Sequence, residues 1–368
     1  MLHPVPQVMR PSSPAVVAAS VCLLGGGAAA LLLVGAPASS SAAPDAKPMR
    51  PPRAPPTFSV VAGGDVALAG DPDGALFTRI RRFLRPADLA VANLEGTLAR
   101  GGNGRCVADA KSGCFIFRAS PGWGQTLRRS GFTALNVANN HALDYGPAAQ
   151  AETLAALRRG HIAVDGLPGQ ITYVRAGRVR VALVGCAPYR WAQSLLDVPG
   201  SARLVHRASR RADVVVVYLH AGAEGAAADH VSGAPETYLG EPRGNPAEFA
   251  HAMIDAGADL VLASGPHVLR GLEWYRGRLI AYSLGNLASS HTLSSSGVLG
   301  LSVLLRVTLD VHGRFEAGSL VPLKLDAWGV PAFDPDRASL VLLRSLSQAD
   351  FGRHAAAIGA GGRIVPRR

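Results

Sequence analysis

No stretch of this chain interleaves basic residues with aromatics, and aromatics are scarce throughout: 4 Trp, 7 Tyr and 10 Phe in 368 residues. A nucleic-acid groove built on stacking and phosphate contacts is therefore not expected. Cysteine is scarcer still. There are 4, none in a C-x-x-C pair, which excludes the usual structural zinc pattern. There is no internal repeat, so solenoids and propellers drop out. Acidic residues are outnumbered, 26 against 37 basic, for a formal charge of +11. The basic residues are mostly arginine and scattered, as in Arg79, Arg81, Arg82 and Arg85 or Arg207, Arg210 and Arg211. Such a distribution leaves open a solvated basic surface or contact with an anionic polymer or phospholipid headgroups. What the chain has in quantity is apolar residues, 48% of the total. That is enough for a sizeable core everywhere but at the start.

Residues 1–14 are short and mixed, with Arg10 as the fixed positive side chain, and read as a cytoplasmic N-terminus. Residues 15–36, AVVAASVCLLGGGAAALLLVGA, are uncharged and apolar. At about 1.5 Å per residue they can span a bilayer, as a retained transmembrane anchor or a signal peptide. Ala36-Pro37-Ala38 before Ser39 resembles a small-residue cleavage site. Either reading exports the remainder, which then faces outward from the cell membrane or is secreted after cleavage. Residues 37–57 form a Pro/Ala-rich linker that cannot bury a core. The folded domain is expected over 58–368. Cys186 ends the apolar run VALVGC and reads as a buried thiol. Cys106 and Cys114 lie in a Gly-rich insertion, GGNGRCVADAKSGCF. Outside the cytoplasm they are placed to close a local disulfide, a pairing the spacing alone leaves open.

From Phe58 strands and helices alternate. FSVVAG, DLAVAN, TALNVA, DVVVVYLH and DLVLAS read as strands, the fourth apolar enough to be buried on both faces. Helices are expected near 74–84, 121–130, 147–159 and 201–211, over NPAEFAHAMIDAGA with Asn245 as N-cap, and near 336–348. An Arg-Gly pair in LEWYRGRLIAYSLGN marks a hairpin turn. The pattern predicts a layered α/β domain of two packed sheets flanked by helices.

The stretch LNVANNHALDYG organises the rest. An apolar strand stops at Asn139, Asn140 and His141, Asp144 follows, and Pro147 opens a helix. Four more strand ends carry polar groups: Asp65, Glu95, His220 and His267. Any one of them alone reads as a turn former or a structural histidine. Together, each just past an apolar strand, they are expected to converge on one pocket at the C-terminal rim, where α/β proteins place their chemistry.

GGDVALAG, ANLEGTLA, NVANNHALDYG, LHAGAE and GADLVLASGPHVLRGLEWYRGRLIAYSLGN resemble the CapA family of capsule or poly-γ-glutamate synthesis proteins. The resemblance implies a calcineurin-like metallophosphatase-type fold, a four-layer α/β/β/α sandwich, over 58–368. It also implies a membrane-anchored domain outside the cytoplasm. Asp65, Glu95, Asn140 and His220 match metal-ligand positions, and Asp65, His141 and His267 the catalytic ones. Ala67 and Ser264 stand where such phosphoesterases commonly carry histidines. One divalent ion (Mn, Zn, Mg or Ca), or none, is therefore expected rather than a pair. With an ion bound, His267 would carry the proton; without one, Asp65 and His267 would act as an acid–base pair across a substrate. Glu224 resembles a family glutamate and is expected to orient His220 near the substrate. Arg243 and Arg270 are expected to grip a substrate carboxylate, and Tyr282, Ser283 and Asn286 to shape the turn beneath His267. The implied function is synthesis, transfer or export of an anionic envelope polymer such as poly-γ-glutamate, with the membrane and a polymer synthase as partners and no nucleic acid. The rival readings are a metal-dependent phosphoesterase, a metal-independent epimerase-like peptide-modifying enzyme, and a non-catalytic synthase subunit.

Overall fold

Alternation along the strand Thr57–Ala67 decides the layering. Phe58, Val60 and Ala62 join one apolar cluster and Val61 another, as the two-residue period of a strand requires. The structure, a computed structural model, describes residues 56–72, 74–106 and 114–366. The expected cytoplasmic segment 1–14, the apolar segment 15–36 and all but the end of the linker 37–57 lie outside the described residues. Among the described residues no helix is long and apolar enough to cross a membrane.

The fold is mixed α/β. A 10-stranded sheet has a parallel half, Thr57–Ala67, Leu89–Leu94, Ala134–Asn136 and Ala163–Asp165. Its other half is antiparallel, through Leu301–Asp310 and Phe315–Leu325. A 7-stranded sheet has Val179–Ala187, Val214–His220, Leu260–Ser264 and Arg278–Leu284 in parallel, with antiparallel edges Thr172–Ala176 and Leu269–Tyr275. The inner faces pack on each other: Val60 and Leu305 share a cluster with Leu183, Val216 and Leu262. On the outer face of the first sheet, Val61 and Ala92 meet Leu127 and Leu157 of the helices Trp123–Ser130 and Gly146–Arg159. On the outer face of the second, Val184 and Val217 meet Val205 and Phe249 of Val198–Ser209 and Pro246–Asp255.

Local chemistry sets the element ends. Asn245 Oδ1 accepts the Glu248 N–H at 3.2 Å, and Pro246 follows at the first helical position. Arg276 and Gly277 both take positive φ, 48° and 75°, in the two-residue hairpin turn. The expected basic helix over 74–84 is reduced to Arg81–Leu84. Its apolar spacing is helical, but Thr78 and Ile80 donate three residues back, to Ala75 and Phe77, so the chain runs as tight turns first.

At the site end the strand Thr57–Ala67 changes register on both sides of Asp65, and such a bulge re-aims a side chain. Asp65 N–H donates to Gly285 O at 3.0 Å. A side chain on Gly64 would run into the Gly285 backbone, so only glycine permits this approach. Below the site, Tyr218 O–H donates to Gly63 O at 2.7 Å and joins the two sheets.

Asp165 ends its strand buried, with Oδ1 unpartnered, and burial lifts its carboxyl to about 7. The unfolded chain releases this proton near pH 3.9, whereas the folded chain keeps it to about 7. Asp165 therefore costs stability as pH rises from about 4 to about 7, and costs nothing below that window. Chemical denaturation of wild type and Asp165→Asn across pH 4 to 8 should show the variant gaining on wild type by on the order of 1 kcal/mol or more over this window. Parallel pH profiles would contradict the assignment.

Candidate functional site

The groups expected at strand ends meet in one place, but at the facing rims of two sheets rather than along one. Asp65, Glu95 and the Asn139–His141 turn come from the first sheet, and His220 and His267 from the second. Asn93 stands between them. Its Nδ2 donates to Asp65 Oδ1 at 2.8 Å and lies 3.1 Å from His220 Nδ1. Its Oδ1 accepts from Asn136 Nδ2 at 2.9 Å and Asn139 Nδ2 at 3.0 Å. Both amide hydrogens and both lone pairs are thus used, which settles the orientation of the amide.

That orientation fixes the proton on His220. Its Nδ1 accepts from Asn93, so Nε2 carries the hydrogen. Nε2 is buried without a hydrogen-bond partner, 3.9 Å from Glu95 Oε1. Burial holds the His220 imidazole below its ordinary pKa, against Asp65, which favours the cation. His220, expected as a metal ligand, thus presents an N–H rather than a lone pair.

His267 is held the opposite way. Asn286 donates through Nδ2 to the Ser294 and Leu299 carbonyls, leaving its Oδ1 to accept from His267 Nδ1 at 2.9 Å. His267 has φ of 60°, a backbone state costly for any residue but glycine and one that clusters at functional sites. Its Nε2 lies 3.6 Å from Glu95 Oε1 and 3.7 Å from Glu224 Oε2. Burial works to lower this imidazole, but Glu95, Asp65 and Glu224 together raise it to about 10.

The carboxylates differ just as sharply. Burial works to raise the Asp65 carboxyl, yet the His220 and His267 rings outweigh it and hold Asp65 well below the usual range. Asp65 Oδ2 accepts the Gly265 N–H at 3.1 Å and lies 3.4 Å from His267 Nδ1. The expected acid–base pair across a substrate is therefore corrected: Asp65 and His267 touch, with no room between them. Glu95 is fully buried, neither oxygen has a hydrogen-bond partner, and burial pushes its carboxyl well above the ordinary range.

Three ring nitrogens, Nε2 of His141, His220 and His267, face Glu95 Oε1 at 3.9, 3.9 and 3.6 Å. These gaps are too long for direct hydrogen bonds. His141 Nδ1 lies 2.8 Å from Asp144 Oδ2, a carboxylate, so Nδ1 donates and the Nε2 lone pair faces the cleft. Asn140 Oδ1 is also buried and unpartnered. Glu95 and Asn140 thus offer oxygens without a hydrogen-bond partner, and His141 Nε2 lies 3.9 Å from Glu95 Oε1, donor types that suit one divalent cation of the Mn or Zn type. Asp65, Glu95 and His267 also offer one atom each within 4.8 Å of one another.

Beside Asn140 and His141 opens a cleft of about 190 Å³, walled also by Tyr189, Trp191, Tyr238, Glu224 and Arg243. Tyr189 and Trp191 stack at 4.9 Å, and Trp191 Nε1–H donates to Asn139 O at 2.9 Å. Arg243 lies between Tyr189 and Tyr238, 5.8 and 5.3 Å from their ring centres, and 2.8 Å from Glu224. Glu224 accordingly sits against Arg243 and His267, not His220 as expected. Arg270 does not reach the cleft. It is 1% exposed, and its guanidinium bonds Glu236 twice, at 2.9 and 2.7 Å, and Ala228 O at 2.7 Å. Of the expected supports under His267, Asn286 bonds the ring and Ser283 ties Val268 O to the Gly285 N–H. Tyr282 points elsewhere, to Glu273 at 2.7 Å.

Sequence reasoning passed over Asn93, Asn136 and the aromatic wall. The signal for Asn93 was present: it precedes Leu94-Glu95 at a strand end, as Asn139 follows another. Cys106 and Cys114 do form a disulfide, and Cys186 is buried and free.

The family described as bacterial capsule synthesis protein PGA_cap matches residues 59–291, and the chain belongs to it. A relative named PGA biosynthesis protein CapA, from Bacillus subtilis, is 31% identical over 179 residues, 44% of this chain and 44% of that one. Capsule biosynthesis protein CapA of Bacillus anthracis is 31% identical over 182 residues, covering 44% and 41%. The matched stretch thus spans less than half of either relative. A probable polyglutamine synthesis accessory protein of Mycobacterium tuberculosis is 29% identical over 232 residues, covering 55% and 56%. Among solved structures, a putative 5'-nucleotidase from Staphylococcus aureus aligns with a TM-score of 0.44 at 17% identity, covering 79% of this chain and 58% of that one.

Asn93→Ala strands the amides and ring that Asn93 joins, so it should lower stability by on the order of 2–4 kcal/mol. Urea unfolding measures it. A loss under about 0.5 kcal/mol, the size of an ordinary surface change, would show that the amide is not the joint between the sheets.

Proposed function

We propose that the chain is an exported, membrane-tethered accessory protein of anionic capsule synthesis, acting on a poly-γ-glutamate-like chain through one divalent ion. The observation that supports this best is the buried cluster beside the cleft: three imidazole nitrogens around Glu95, whose own oxygens have no partner. Family membership and the names of the relatives support the polymer. The apolar segment 15–36 supports the tether, which would place the domain outside the cytoplasm beside a polymer synthase. The paired sheets with outer helices suit the four-layer metallophosphatase-type reading.

Glu95, Asn140 and His141 would hold the ion, which when bound polarises a carbonyl or phosphoryl oxygen or acidifies a water. His267 carries a proton at Nε2 for a leaving group and is oriented by Asn286. The His220 Nε2–H donates to an oxygen above Glu95. Arg243, 2.8 Å from Glu224 and near the rings of Tyr189 and Tyr238, takes a carboxylate of the polymer on its remaining donors. The activity is hydrolase or transferase chemistry on the polymer amide.

Titration of the purified full chain with Mn²⁺ should show one ion per chain, weakened at least tenfold by Glu95→Gln. His267→Ala should bind Mn²⁺ within about a few-fold of wild type, because His267 is not placed among the ligands. It should nevertheless abolish surface polymer in cells lacking their own copy. No binding of Mn²⁺ or Zn²⁺ would end the metal reading. Normal polymer with both variants would leave a non-catalytic subunit. Phosphodiester turnover without any effect on polymer would favour a phosphoesterase instead.

A further inference from the structure

We infer that Arg105 is a positioning residue for His141, acting through the Asp144 carboxylate described above, and that the Cys106–Cys114 bridge makes its hold conditional on oxidising surroundings. The inference rests on the part given to His141 above.

Asp144 is fully buried and gathers three donors: the Phe117 N–H at 2.7 Å, Arg105 Nε at 2.8 Å and His141 Nδ1 at 2.8 Å. A carboxylate placed to accept from all three fixes the ring's proton on Nδ1. Phe117 also packs its ring on the imidazole, with centroids 4.3 Å apart. The ring is therefore fixed in proton and in plane from one side.

Arg105 grips Asp144 twice. Its backbone N–H donates to Asp144 O at 2.8 Å while its guanidinium takes Oδ1. Its Nη2 donates to Phe115 O at 3.1 Å. Yet its side chain is 43% exposed, and an arginine so placed has rotamer entropy working against one geometry. The bridge is what confines it. Cys106 follows Arg105 and Cys114 precedes Phe115, so the disulfide joins the two chain segments that Arg105 itself spans. A cross-link at that point removes freedom that the two joined segments would otherwise recover. A dithiol reductant delivers two electrons and two protons, leaving two thiols here and its own disulfide. Arg105 then holds Asp144 without the staple.

The test uses the full chain labelled with ¹⁵N-histidine, His141 being assigned by its loss in His141→Gln. In the oxidised wild type the His141 spectrum should show one tautomer, protonated at Nδ1. Arg105→Ala and the double variant Cys106→Ser/Cys114→Ser should each average the two ring nitrogens. Mn²⁺ affinity should fall about tenfold in both, with melting temperatures recorded to exclude unfolding. A His141 spectrum unchanged in both Arg105→Ala and the bridge-free variant overturns the inference. A shifted tautomer with unchanged Mn²⁺ affinity upholds the positioning and removes His141 from the metal reading.

Discussion

The carboxamide of Asn93 is the joint on which the site depends. It receives two asparagines of the first sheet on its oxygen. It gives one hydrogen to Asp65 and the other to His220 of the second sheet. A fully saturated buried amide cannot rotate without breaking several bonds at once, and in a low-dielectric interior each broken bond costs on the order of 1–3 kcal/mol. The two rims are therefore held at one spacing. Tyr218, bonded to Gly63 O directly beneath, holds the same spacing from the core side.

Backbone geometry serves the same end. The register shifts around Asp65, the side-chain-free approach of Gly64 to Gly285 and the positive φ of His267 all occur where the strand Thr57–Ala67 meets the turn before Asn286. Each departs from regular structure, and each brings a polar group to the cleft. Regular strands would have paired these atoms with one another instead.

Much of this was legible. Apolar strands ending in Asp, Asn, Glu or His announce a rim, and the alternating pattern announces two packed sheets. The Asn245 cap and the Arg276-Gly277 turn follow from local chemistry alone. What sequence could not carry was partner choice. Arg243 and Arg270 look alike as residues, but only packing shows that Glu236 occupies the whole fork of one while the other lies between tyrosines in the cleft. Glu224 lies four residues from His220, yet the chain is no helix there, so that spacing does not bring them together. Asn139 and Asn140 are adjacent and point to opposite tasks, one bonding Asn93 and the other left open.

The three histidines use one device with three outcomes. Each ring has Nδ1 taken by a neighbour and Nε2 aimed at Glu95. The neighbour decides what Nε2 can do. Asn93 donates to His220, so that ring must offer an N–H. Asp144 accepts from His141, so that ring must offer a lone pair. Asn286 also accepts from His267, but the acids around that ring favour a second proton on it. A donor, an acceptor and a ring pushed toward the cation are thus set around one carboxyl group before any ligand arrives. Because Nδ1 is committed in every case, exchanging these roles would require breaking the amide and carboxylate bonds behind the rings. The chemistry of the cleft is therefore decided by the residues behind the histidines as much as by the histidines themselves.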